Sequence, residues 1–167
     1  MGTPTTLSVL IRIARELDAE DVAALTAQLG YNVHPSAIRA RLSSILARPD
    51  HRFWMAEVAD RRVGWLHATI SEYVEADPFV VIGGLVVDRD YRRQGVGRLL
   101  MEHAEQWARE QRCSTIRLWS SSSRTAAHRF YEGLGYTNIK TQYAFAKLLD
   151  SGGGATLEQF TPLSSRR

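Results

Sequence analysis

Between Phe79 and Gln111 the chain runs from an apolar stretch, through a basic loop that carries glycines, straight into an amphipathic segment. Phe79 to Val87 is almost continuously apolar, which suits a strand covered on both faces. From Gly95 to Gln111, Leu99, Leu100, Ala104, Trp107 and Ala108 recur at helical spacing. A strand that feeds a helix through so short a loop points several backbone N–H groups and a helix N-terminus at one spot. Unpaired donors and the helix dipole both favour an anion there, phosphate above all. Gly95 and Gly97 let such a group approach the backbone with no Cβ in the way, and Arg92, Arg93 and Arg98 add positive charge.

Two familiar phosphate motifs fit less well. A dinucleotide fingerprint needs a third glycine where Leu100 stands, and a P-loop needs Gly-Lys-Ser/Thr, which is absent. With a net charge of only +3, the cluster of Arg89, Arg92, Arg93 and Arg98 reads as a small anionic-ligand site, not a nucleic-acid surface. The single cysteine, Cys113, excludes an internal disulfide and a multi-cysteine metal site, and no metal is expected. No stretch is long and apolar enough to span a membrane, and Met1 to Thr6 has no signal-peptide character. A cytoplasmic protein with no membrane partner is the expectation.

At 167 residues the chain suits one domain, expected over 1–149, with a flexible tail over 150–167 that begins in Ser-Gly-Gly-Gly. The apolar pattern predicts a strand over Leu7–Ile13 and a helix over Asp18–Leu29, with Asp18 as N-cap and Gly30 as its end. A second helix is expected to start at Pro35-Ser36 and to stop at Pro49-Asp50. Strands follow over Phe53–Val58, Val63–Ile70 and Phe79–Val87, and Gly83-Gly84 within the last marks a bulge or a close backbone approach. After the long helix come a strand over Thr115–Trp119, a helix over Arg124–Leu134, and one or two closing strands over Tyr136–Lys147. That order makes a mixed α/β sheet.

Arg92-Arg93-Gln94-Gly95-Val96-Gly97 resembles the acyl-CoA binding motif, Gln/Arg-x-x-Gly-x-Gly/Ala, of the GNAT superfamily of N-acetyltransferases. About 35 residues on, Arg124 to Tyr136 resembles that superfamily's second signature, an alanine-rich helix ending in Phe-Tyr-x-x-x-Gly-Phe/Tyr. The resemblance implies a central mixed, mostly antiparallel sheet of six to seven strands flanked by about four helices, with a splayed parallel strand pair at the cofactor site.

It further implies acetyl-CoA as co-substrate and an amine as acceptor, either a small cationic molecule or a protein amine. Leu85, Val86 and Val87 would lie along the pantetheine arm, and Arg92, Arg93, Gln94, Gly95, Val96, Gly97 and Arg98 would hold the pyrophosphate. A backbone N–H near Val86 or Val87 would polarise the thioester carbonyl, and Tyr131 would protonate the departing sulfur. Arg124 stands where relatives often carry an asparagine, and either reaches a CoA phosphate or faces solvent. The glutamate that many relatives place on the strand before the loop is replaced here by Gly83 and Gly84. Candidates for the base are Glu72, Glu75, Asp77, His67 and His34, with Glu72 expected to act, or a water chain. A homodimer is also expected from the resemblance. The alternative to catalysis is a domain that binds and senses acyl-CoA.

Overall fold

A computed structural model describes residues 7–149. The tail expected over 150–167 lies outside them. The chain divides into two compact units, Met1–Leu118 and Trp119–Arg167.

The first unit is built on a five-stranded sheet in sequence order. Its strands are β1 (Leu10–Ile13), β2 (His51–Val58), β3 (Arg61–Tyr73), β4 (Ala76–Val87) and β5 (Ile116–Leu118). The first four pair antiparallel, and β4 with β5 pairs parallel. Helices α1 (Ala19–Ala27) and α2 (Pro35–Leu46) connect β1 to β2, and α3 (Val96–Glu110) connects β4 to β5. One sheet face presents Phe53, Met55, Trp65 and Val86 to Val22, Leu25, Ile38 and Leu42 of α1 and α2. On the other face Trp54 meets Trp107 of α3 edge-on, at 5.9 Å between ring centroids. Strand alternation thus sends Phe53 and Trp54 to opposite layers. The buried stripe of α3 is Val96, Leu100, Met101, Ala104, Trp107 and Ala108, as the helical spacing predicts.

Local chemistry sets the helix ends. Pro35 opens α2, and the His34 side chain accepts from the Ser36 N–H at its N-terminus. Gly30, at φ 93°, lets the chain turn away after α1. Asp18 precedes α1 as expected, yet its carboxylate makes no cap bond to that helix. Instead it accepts the Arg15 N–H at 2.7 Å and a two-pronged contact from Arg12, at 2.7 and 2.8 Å.

The glycine pair in β4 does form a bulge. His67 pairs with Gly84 but Ala68 pairs with Ile82, so Gly83 is the extra residue. A Cβ on Gly84 would stand 2.7 Å from the Trp65 ring, so the second glycine makes room for that indole against the strand.

The second unit carries α4 (Thr125–Gly133), closed by Gly135 at φ 91°. The closing strands expected over Tyr136–Lys147 do not form, so the sheet has five strands among the described residues and not six to seven. Alternating apolar residues assign two faces to a stretch but supply no neighbour. Without a ladder partner Ile139, Tyr143 and Phe145 stay exposed.

Candidate functional site

Strand β5 covers only part of β4. The parallel ladder joins Val80, Val81 and Ile82 to Ile116, Arg117 and Leu118, and stops there. β4 continues past the bulge, and Leu85, Val86 and Val87 remain paired to Leu66, Trp65 and Gly64 of β3 on one edge. Their other edge lies outside the ladder, so alternate backbone N–H and C=O groups there are open to an extended ligand. Val86 is buried, while Leu85 and Val87 are half-buried.

This open edge leads directly into the basic loop. Asp88 organises the turn by accepting the Asp90 N–H at 2.9 Å and Gln28 Nε2 at 3.0 Å. The Asp90 amide, followed by Gln28, holds the Asp88 carboxyl below its usual range against the opposing effect of burial. Gln28 Oε1 in turn accepts the Arg89 N–H at 3.0 Å, so the residue that caps the C-terminus of α1 holds both sides of the turn. Arg92 Nε donates to the Val87 carbonyl at 3.0 Å, and Gln94 Nε2 to the Asp90 carbonyl at 2.8 Å. Arg93 and Gly95 both adopt left-handed backbone, at φ 60° and 86°, which turns the chain into α3. The first N–H groups of α3, at Val96, Gly97 and Arg98, have no acceptor within the helix. Arg92, Arg93, Gln94, Gly95 and Arg98 are exposed.

Beside the bulge lies a pair of imidazoles that sequence reading found only by half. His67 Nε2 is 2.9 Å from His51 Nδ1, and the rings stack at 5.2 Å. Phe53 stacks on His67 at 5.7 Å. The Nδ1 of His67 faces β4, 3.1 Å from where a Gly83 Cβ would stand. Burial, then the neighbouring His51, pushes the His67 pKa down to about 4, and burial and Arg48 lower that of His51.

Between the unfolded value of 6.5 and the folded value of about 4, only the unfolded state gains the His67 proton. Folding stability therefore falls as pH drops through that window, by roughly 2 kcal/mol after allowance for partial exposure. Thermal melting of wild type and His67→Gln between pH 7 and 4.5 checks this; the variant should show the shallower decline.

The other expected bases sit elsewhere. Glu72 is five residues beyond His67, roughly 16 Å along β3. It is exposed near the end of β3, with Glu75 in the turn that follows and Asp77 at the start of β4. Its charge bears on Cys113, whose thiol is pushed up first by burial and then by Glu72. His34 is the exposed cap of α2. Cys113 is buried at the end of α3. Among the described residues no group of three or more His, Cys, Asp or Glu side chains could hold a metal ion. No helix among them is long and apolar enough to cross a membrane.

In the second unit, Tyr131 packs edge-on against Phe130 and Tyr136, at 5.1 and 6.1 Å between centroids. Burial pushes the phenol pKa up, and the charge of Arg124 only partly opposes it. Arg124 stands at the N-cap of α4, its own N–H donating to the Ser121 carbonyl at 2.9 Å. The serines before it make no side-chain cap.

A family model described as the acetyltransferase (GNAT) family matches residues 11–136. The chain belongs to this family. This GNAT chain is 27% identical over 120 residues to the aminoglycoside N(6')-acetyltransferase type 1 of Serratia marcescens, covering 69% of its own length and 82% of the relative's. It is 29% identical over 107 residues to the N-acetylaspartate synthetase of Xenopus tropicalis, covering 62% of its own length and only 38% of that protein's. In fold it is similar to an aminoglycoside N-acetyltransferase solved with CoA, with a TM-score of 0.78 at 21% identity over 87% of this chain and 98% of that one. An aminoglycoside 6'-N-acetyltransferase from Acinetobacter baumannii gives a TM-score of 0.76 at 21% identity, covering 86% and 100%.

The loop of this GNAT chain fits the diphosphate of CoA on one local observation. A Cβ built on Gly95 meets nothing within 4 Å, so the space over the helix N-terminus is open where an anion would sit. Gly95→Ala places a methyl group in that space and strains a left-handed residue by about 1 kcal/mol. Acetyl-CoA affinity is expected to weaken at least about tenfold, with the melting temperature lowered by only about 2–4 °C. Calorimetric titration of both proteins measures this.

Proposed function

We propose that this chain transfers an acetyl group from acetyl-CoA to a primary amine by direct attack, with no covalent enzyme intermediate. The observation that carries the reading is the unpaired edge of β4 at Leu85–Val87 running into the open, N–H-rich loop at Gly95. In this reading the backbone of Leu85, Val86 and Val87 aligns the pantetheine arm. Arg92, Arg93 and Gln94, with the amides of Gly95, Val96, Gly97 and Arg98, hold the diphosphate, and Arg124 adds charge to a CoA phosphate. The N–H of Val87 polarises the thioester carbonyl as negative charge develops on its oxygen. Tyr131 gives its proton to the departing thiolate. A phenol raised by burial is fully protonated at neutral pH, which suits a donor.

For the acceptor we favour a small cationic amine of the aminoglycoside kind, the substrate named for the Serratia relative, over a protein amine. The exposed carboxylates Glu72, Glu75 and Asp77 support a cationic substrate through their field. We assign Glu72 that role and not proton abstraction. Steady-state release of CoA thiol across a panel of aminoglycosides, polyamines and peptide amines tests the proposal. Turnover of an aminoglycoside is the expected result. Acetyl-CoA binding with no turnover of any amine would favour the sensing domain, a reading for which the Gly83-Gly84 pair in place of a carboxylate speaks.

A further inference from the structure

We propose that His67 takes the proton from the attacking amine and that His51, oriented by Asp50, passes a proton on to solvent. The proposal rests on the acetyl-transfer reading above and supplies the base which that reading lacks. Three observations converge on it.

The first is placement. Gly83 is the extra residue of the β4 bulge, and the His67 ring occupies the space its side chain would need, with Nδ1 at 3.1 Å and Cε1 at 3.7 Å. An imidazole from β3 thus presents a nitrogen to the stretch of β4 that opens toward Leu85–Val87. Phe53 backs the ring and fixes its plane.

The second is tautomer logic. His51 Nε2 lies 3.8 Å from Asp50 Oδ2. A carboxylate on that side favours the His51 tautomer that carries its hydrogen on Nε2. His51 Nδ1 then bears a lone pair, and at 2.9 Å it accepts the hydrogen of His67 Nε2. That leaves the lone pair of His67 on Nδ1, the atom turned to the bulge. Asp50 thereby sets the basic atom of a ring two links away.

The third is an exit. His67 is half-buried between β2 and β4, and the side chains of His51 and Asp50 beyond it are 14% and 40% exposed. The chain of donors therefore runs from inside to solvent. Among the described residues, the charges that bear on the pair are Asp50 and Arg48, both from the turn before β2, and the two rings themselves. β4 contributes glycine backbone at this point. Burial lowers the pKa of both rings, which favours their neutral forms and the lone pair on His67.

The step balances. The amine nitrogen forms a bond to the thioester carbon and becomes cationic. In the adduct that nitrogen is far more acidic than a free ammonium, so a weak base suffices. Its proton passes to His67 Nδ1, the His67 Nε2 hydrogen to His51 Nδ1, and the His51 Nε2 hydrogen to water, while Asp50, held by Arg48, stays charged beside the ring. The C–S bond then breaks, and the thiolate takes the Tyr131 proton, which solvent replaces. The rings return by the reverse shift once water replaces product.

The test compares wild type with His67→Ala, His67→Gln and His51→Gln, using an amine that wild type acetylates and saturating acetyl-CoA. His67→Ala should lower kcat by about 10²-fold with acetyl-CoA affinity unchanged. Added imidazoles should restore activity, and the restored rate should climb with the pKa of the imidazole used. His51→Gln, a positioning change, should lower kcat by about tenfold and flatten the acid side of the pH profile. Glutamine at 67 keeps a hydrogen bond to His51 but cannot accept a proton, so it decides the matter if the alanine variant does not fold. Near wild-type kcat in His67→Gln, or rescue independent of imidazole pKa, would overturn the relay while leaving acetyl transfer standing. A wild type that binds acetyl-CoA but acetylates no amine would overturn both.

Discussion

Tyr131→Phe lowers kcat by about 10²-fold and leaves acetyl-CoA affinity within about a factor of two. The change deletes one oxygen and one proton while keeping the ring that packs against Phe130 and Tyr136. Packing is therefore conserved, and the loss reads on chemistry. Burial raises the phenol pKa more than Arg124 lowers it, so the wild-type group enters the reaction protonated. A thiolate leaving without a proton donor must depart as a free anion, and the barrier rises by close to 3 kcal/mol for a hundredfold loss. Steady-state kinetics with calorimetric titration separates the two quantities. Equal kcat in both proteins would remove Tyr131 from the mechanism.

Asp18→Ala should destabilise the fold by about 3 kcal/mol, lowering the melting temperature by roughly 10 °C. The carboxylate is 2% exposed and accepts three charged or backbone donors from Arg12 and Arg15. Burial alone would raise its pKa, but the Arg12 hydrogen bonds, the Arg15 amide and the Arg12 and Arg62 charges bring it below its usual value. Its removal leaves the Arg12 guanidinium, only 16% exposed, with Glu57 as its one remaining carboxylate and the Ile13 carbonyl as its other acceptor. Because the folded pKa lies below the unfolded one, this stabilisation is complete above the unfolded value of about 3.9 and fades as pH falls through the folded value. Thermal unfolding at pH 7 and pH 3 checks both points. The wild-type advantage over Asp18→Ala should shrink at the lower pH.

The parts of this molecule legible in the sequence are those written in contiguous residues. The β4–loop–α3 run declares itself through apolar continuity, then glycine and arginine, then helical spacing, and the structure places each where that pattern implies. The Gly83-Gly84 bulge is legible for the same reason. Long-range pairing is less so. Asp18 sits where an N-cap belongs, and local logic assigns it to α1. Its true partner, Arg12, lies across the turn and outbids the helix amides because it brings a full charge to a buried site. The His51–His67 contact was hidden by register. The two residues lie nine and seven positions either side of Asp60, so the hairpin brings them nearly opposite, and counting outward from that turn would have found them. Glu72 is a carboxylate upstream of β4, but strand rise carries it far from the bulge. The stretch Tyr136–Lys147 alternates like a strand, and alternation cannot say whether a neighbour exists to complete the ladder.

The central claim is that the open edge of β4 and the loop that follows it hold the acetyl donor. Backbone amide chemical shifts recorded during titration with acetyl-CoA test it most directly, residue by residue. The account predicts large shifts at Leu85, Val86 and Val87 and at Arg93 through Arg98, saturating together, with β1 and the Val74–Glu75 turn between β3 and β4 unmoved. Saturable binding that leaves those amides still and perturbs another surface would contradict it.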